Sequence, residues 1–144
     1  MTQMLVVYWS GTGNTEAMAN LIRDGAVDAG ATVTLKEVSS ATISDVKDAD
    51  IAVFGCPAMG DEILEEDEFE PFMKSVTETL SGKKIGLFGS YDWGDGEWMR
   101  IWEADVKKAG AVLLKDGLIV NMEPVGEDVE KCKAFGRELA GMSF

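Results

Sequence analysis

The sequence predicts an α/β fold: a doubly wound, five-stranded parallel sheet of order 2-1-3-4-5 with helices on both faces. Three observations predict it. Five short apolar runs alternate with stretches of helical periodicity. Three of those runs (VVYW, IAVFG and IGLFG) are almost continuously apolar, as strands covered on both faces must be. Gly30 and Gly110 stand just past two helical stretches, where a left-handed C-cap is wanted.

In chain order, residues 4–9 read as the first strand and 16–29 as the first helix, with Met18, Leu21, Ile22 and Gly25 keeping one face apolar or small. Residues 32–37 form the second strand, 43–47 a short helix and 51–55 the third strand. A helix over 69–79 leads to the fourth strand at 84–89. On the helix over 97–109, Trp98, Ile101, Trp102, Asp105 and Val106 make a mostly apolar stripe, which assigns Trp98 and Trp102 to the core. The fifth region, 112–120, is long for a strand, and Lys115-Asp116-Gly117 is a candidate interruption. A helix over 129–140 follows. Strand–helix–strand units of this kind use right-handed crossovers. One domain over residues 1–144 is expected, without repeats, linkers or low-complexity tracts.

Composition narrows the function classes. The 26 acidic residues outnumber the 13 basic ones, for a net charge of −13. Such a surface repels nucleic acid and anionic membranes and favours partners with basic faces. No apolar run approaches the roughly 18 residues of a membrane span. The start of the chain lacks the basic residues of a secretory signal. Cys56 and Cys132 match no metal spacing, and the chain has no His, which removes His–Cys zinc sites and His-based triads. A reduced, cytoplasmic location is expected.

In this topology the loops after strands one, three and four share one sheet edge. The first is Ser10-Gly11-Thr12-Gly13-Asn14-Thr15, a turn of small and hydroxyl residues between a buried strand and a helix. Such a turn cradles phosphate on backbone N–H groups at a helix N-terminus, although taken alone it is as readily a plain turn. It holds no Lys or Arg, so an anion there is held by amides, hydroxyls and the helix dipole. The second loop, Pro57 to Glu62, carries Met59. The third, Ser90 to Gly96, carries Tyr91 and Trp93, and Trp93 sits among turn residues with no helix or strand to bury against. A thioether, a Tyr and a Trp suit a flat ring.

Those motifs carry a resemblance. SGTGNT with the preceding VVYW, AMGDE followed by EFEPF, and SYDWGDG occur in the order and spacing of a short-chain flavodoxin, which the chain resembles over essentially its whole length. The resemblance implies a flavodoxin-like fold and non-covalent FMN, with no catalytic residues and no metal. The FMN phosphate would be taken by Ser10, Thr12, Asn14 and Thr15 and by the amides of a loop that includes Gly11 and Gly13. Ala58, Met59, Gly60, Asp61 and Glu62 would lie at the flavin's reactive edge, with Met59 on one face of the ring and Glu62 accepting from flavin N3–H. Ser90, Tyr91, Asp92, Trp93 and Gly94 would form the second ring loop, with Trp93 stacked on the other face. Gly60 would turn its peptide over on one-electron reduction, since glycine visits positive φ at little cost. The implied function is a low-potential one-electron carrier that shuttles between semiquinone and hydroquinone. It would act as a monomer and serve reductases or low-potential oxidoreductases with basic docking faces.

Two positions depart from the family pattern. Asp92 stands where Gly is usual, either near flavin N1 and O2 or pointing to solvent. Pro57 stands where Ser or Thr is common, which removes a hydroxyl and an N–H. The acidic run Asp61, Glu62, Glu65, Glu66, Asp67, Glu68 and Glu70 reads either as a docking surface or as solubility. An FMN-dependent NAD(P)H or quinone reductase of the same fold is the alternative. A phosphoacceptor receiver domain is the weakest reading, because its acidic positions are Tyr8-Trp9 and Phe54-Gly55 here.

Overall fold

A computed structural model describes residues 2–142. The chain alternates strand and helix: β1 (Gln3–Tyr8), α1 (Asn14–Asp28), β2 (Thr32–Glu37), α2 (Ile43–Asp48), β3 (Ile51–Gly55), α3 (Phe69–Val76), β4 (Lys84–Tyr91), α4 (Glu97–Lys108), β5 (Val112–Leu113), β6 (Leu118–Asn121) and α5 (Glu127–Ala140). The sheet order is β2-β1-β3-β4-β5, all parallel, as predicted.

The apolar runs form strands because both of their faces are covered. Along β1, Leu5 and Val7 enter the core under α2, α3 and α4, while Met4, Val6 and Tyr8 enter the core under α1 and α5. β3 alternates in the same way, Ala52 and Phe54 to one side and Ile51 and Val53 to the other. Period-two alternation between two apolar layers leaves no polar position, which explains the continuous runs.

The structure corrects three expectations. The fifth strand is broken into β5 and β6, both paired with β4. From Leu113 to Leu118 the chain advances five residues while β4 advances three, from Ile85 to Phe88. The slack is taken up at the suspected break, where the Gly117 N–H donates to the Glu103 carboxylate at 2.7 Å. A Cβ at Gly117 would come within 2.4 Å of Met99 Sδ, so any larger residue there requires the Met99 side chain on α4 to move. Second, the helix expected over 69–79 ends at Val76, and a 3₁₀ turn over Thr77–Leu80 completes it. Third, the buried face of α4 is Trp98, Met99, Trp102 and Val106; Ile101 is 51% exposed.

Gly25 and Gly136 set the distance between α1 and α5. A Cβ on Gly25 would lie 1.9 Å from the Lys133 carbonyl oxygen, and one on Gly136 would lie 1.9 Å from that of Ile22. The two backbones therefore touch, and neither oxygen can retreat without moving its helix. Alanine at either position gains about 1 kcal/mol of helix propensity. Overpacking against a backbone oxygen costs up to about 3 kcal/mol and outweighs this, so Gly25→Ala and Gly136→Ala should each lower stability by a net of up to about 2 kcal/mol in urea unfolding. Unchanged midpoints would mean that the helices are free to separate.

Candidate functional site

β1, β3 and β4 run parallel and in register, so the loops that follow them emerge at one edge of the sheet. In the first loop, Gly13 has φ +99°, a left-handed conformation that glycine adopts at little cost, and it leads directly into α1. Ser10 Oγ accepts from the N–H groups of Gly13 at 3.1 Å and Glu16 at 3.3 Å, which folds the loop over the helix N-terminus. α1 starts at Asn14, so Asn14 and Thr15 belong to its first turn. The Thr15 and Ser90 hydroxyls are 2.9 Å apart and buried, and the Ser90 N–H also reaches Thr15 Oγ1 at 3.4 Å.

Behind this loop, Tyr8 donates its hydroxyl hydrogen to Glu16 at 2.9 Å. Burial pushes the Tyr8 phenol up to about 12, aided by that hydrogen bond and by the charges of Glu16 and Glu37. Tyr8 therefore stays neutral and keeps its hydrogen bond to the Glu16 carboxylate.

In the second loop, Met59, Gly60, Asp61 and Glu62 make a turn closed by the Glu62 N–H on the Met59 carbonyl at 2.8 Å. Gly60 does not have positive φ, and a Cβ there would meet nothing within 4 Å. The left-handed residue is Glu62, at φ +53°. Its carboxylate accepts from the Glu97 N–H at 3.2 Å, at the N-terminus of α4, where the helix dipole favours an anion. The same carboxylate lies so close to Gly94 that a Cβ there would come within 2.5 Å.

The third loop is held from two sides. Asn121 Nδ2 donates to the carbonyls of Tyr91 at 3.2 Å and Asp92 at 3.3 Å, and the Met122 N–H donates to Tyr91 at 2.8 Å. Arg100 binds the carbonyl and the carboxylate of Asp95. The Tyr91 ring packs on Trp98, centroids 5.7 Å apart.

The three loops enclose a cleft of about 270 Å³. Ser10, Gly11, Thr12, Asn14 and Thr15 line it from the first loop, Ala58, Met59 and Gly60 from the second, and Ser90, Tyr91 and Asp92 from the third. Gly13, Asp61, Glu62, Trp93 and Gly94 do not line it. Trp93 is 61% exposed, in keeping with its place outside the core. Trp9 and Pro57 line the cleft as well. Trp9 lay in the strand prediction and was not read as a site residue, yet its ring packs on Gly11, where a Cβ would come within 3.0 Å. Among the described residues no Lys or Arg lines the cleft.

Glu65 departs from the docking reading of the acidic run. It is buried, and its carboxylate accepts from the N–H groups of Asp67, Glu68 and Phe69 at 2.7–2.8 Å, capping α3. Burial alone would raise its pKa, but those three hydrogen bonds hold it below 4.5. The cysteines are buried free thiols, each pushed up to about 12, chiefly by burial, and neither is poised to react. Among the described residues no group of His, Cys, Asp or Glu is arranged to hold a metal.

A cleft with neutral hydroxyl and amide donors at one end and Met59 and Tyr91 at the other fits a phosphate joined to a flat ring. The family profile described as Flavodoxin matches residues 6–136. The chain belongs to the flavodoxin family. It is 48% identical over 139 residues to a flavodoxin from Clostridium beijerinckii, covering 96% of this chain and 100% of that one. It is 45% identical to a flavodoxin from Megasphaera elsdenii, covering 94% and 96%. The solution structure of two-electron reduced Megasphaera elsdenii flavodoxin superposes with a TM-score of 0.88 over 96% of this chain and 98% of that one. Flavodoxins bind FMN and transfer electrons to partner proteins, and this chain is such an FMN-binding carrier rather than an enzyme. The relatives do not favour the reductase alternative. No helix among the described residues is long and apolar enough to cross a membrane.

The Glu65 cap gives a pH signature. Because the folded pKa is depressed, its stabilisation is present above 4.5 and is lost as pH falls through the folded value. Glu65→Gln should cost about 2 kcal/mol at neutral pH. The gap to the parent protein should narrow in denaturant titrations below pH 4.5; a gap that is constant with pH would refute the charged cap.

Proposed function

We propose that the three loops hold FMN in the cleft and that the chain, as a single cytoplasmic domain acting as a monomer, is a low-potential carrier for partners with basic faces. The observation that carries this reading is the convergence of a cation-free hydroxyl loop and two ring-suited loops on one cleft. Ser10, Thr12, Asn14 and Thr15, with the Gly11 and Gly13 amides, would receive the phosphate. Thr15 suits the task because Ser90 donates to its oxygen through the N–H, leaving the Thr15 hydroxyl hydrogen available whenever Ser90 supplies the other bond. Met59 and Trp93 would cover the ring faces, while Ala58, Gly60, Asp61, Glu62, Ser90, Tyr91, Asp92 and Gly94 border the ring.

Bound there, FMN supplies a ring that takes up and releases electrons one at a time. The chain's part is electrostatic. Neutral donors satisfy the phosphate without cancelling its charge, and Glu16 adds another negative charge behind the loop. A net charge of −13 adds a long-range field of the same sign. Both oppose reduction of the ring to an anion. Gly60 would fit as a hinge: a Cβ there meets nothing within 4 Å in the present turn, so the freedom of glycine would be used in a second turn conformation.

Hydrogen bonds to a charged phosphate are worth about 1.5–3 kcal/mol each. Thr12→Val and Asn14→Ala should therefore weaken FMN binding by about tenfold or more, while riboflavin, which lacks the phosphate, binds within about twofold of the parent. Fluorescence-quenching titrations of the apoprotein decide this. Equal losses for the two flavins would displace the phosphate from this loop.

A further inference from the structure

A groove of about 370 Å³ runs between α3 and α4, lined on its apolar side by Leu64, Met73, Leu80, Trp102 and Val106. A second depression, about 120 Å³, shares Leu64, Glu70, Trp102 and Asp105 with it and adds Ile63, Ile101 and Glu62. The second depression reaches Glu62, the last residue of the turn that carries Met59 and Gly60. Their mouth is unusually apolar for so acidic a chain, with Ile101 51% and Ile63 36% exposed. Among the described residues the rim carries Glu62, Glu70 and Asp105, and its single cation, Lys74, already pairs with Glu70 at 3.2 Å.

We propose that this groove receives an apolar side chain from a basic segment of the protein that exchanges electrons with this chain. The proposal rests on the carrier reading and adds to it an anchoring point outside the cofactor loops. The charge pattern selects the occupant. A second copy of the chain would bring −13 of like charge, and nucleic acid or an anionic membrane is repelled for the same reason. A partner's Lys and Arg can meet Glu62 and Asp105 while an apolar residue between them enters over Trp102. Buried apolar anchors within a charged rim are the arrangement that concentrates binding energy in a few residues. Because Glu62 belongs both to this rim and to the turn at the cleft, a partner seated here lies against the second loop.

The test uses the FMN-loaded, reduced protein and a lysine-ringed c-type cytochrome in stopped-flow mixing, with ferricyanide as an acceptor that needs no docking. Ile101→Ser should slow cytochrome reduction about fivefold. Asp105→Lys should slow it at low salt and flatten its dependence on ionic strength. Val27→Ser, which alters a side chain of the same 51% exposure on α1, should have no effect. All three should leave FMN affinity and ferricyanide rates unchanged, and the Trp102 indole N–H resonance should shift when oxidised cytochrome is added. Cytochrome rates within about twofold of the parent for both groove variants, equal slowing with ferricyanide, or an unmoved indole resonance would each overturn the proposal. A parent protein that binds FMN but fails to reduce the cytochrome at all would sink the carrier reading itself.

Discussion

Ser90 joins the three loops. It lies at the end of β4, 4% exposed, and every polar group it has is engaged. Its hydroxyl and N–H meet the Thr15 hydroxyl on α1, and its carbonyl accepts from the Ala58 N–H at 3.0 Å. One residue therefore fixes the first loop and the second loop to the strand that leads into the third. Burial makes this constraint strong, because an unpaired donor or acceptor there would cost about 1–3 kcal/mol. The parallel sheet brings the loops to one edge, and Ser90 sets their spacing.

What the cleft does with that spacing is governed by charge. A helix N-terminus and neutral hydroxyls are sufficient to bind an anion without a lysine. Leaving out the lysine keeps the anion's charge acting on its surroundings, and the Tyr8–Glu16 pair keeps a carboxylate fixed nearby. In the proposed reading, the same negative field that would disfavour a reduced, anionic ring would attract basic partners, so one property would serve both the potential and the encounter. Glu62 links the two: its carboxylate accepts from the α4 N-terminus, leaves no room for a side chain at Gly94, and forms part of the acidic rim of the α3–α4 groove.

Much of this was legible in the sequence, for physical reasons. Strands buried on both faces declare themselves as unbroken apolar runs, and β1, β3 and β4 did so. Trp98 and Trp102 were placed in the core by helical spacing, and the structure buries both. The left-handed glycines Gly30 and Gly110 appear as expected, at φ +96° and +93°. Tertiary contacts decided the rest. Ile101 shares the helical stripe of α4 yet faces solvent, since periodicity resolves a face only to within a residue or two. Glu65 looked like one acidic residue among many, because a carboxylate that caps a helix four residues ahead differs from its neighbours only once the chain folds back. Asn121 gave no signal, because its role is to hold carbonyls about thirty residues away.

The central claim is that the uncharged loop leaves the phosphate's negative charge free to oppose reduction of FMN. It is tested most directly by placing a cation in the loop at the exposed Thr12 and measuring both one-electron potentials of the bound flavin. A unit charge about 10 Å from the ring is worth roughly 0.4 kcal/mol at the dielectric of water, or about 18 mV for one electron. Thr12→Lys should raise the second potential by at least that amount. A second potential that is unchanged or lower in Thr12→Lys, with FMN still bound, would contradict the account.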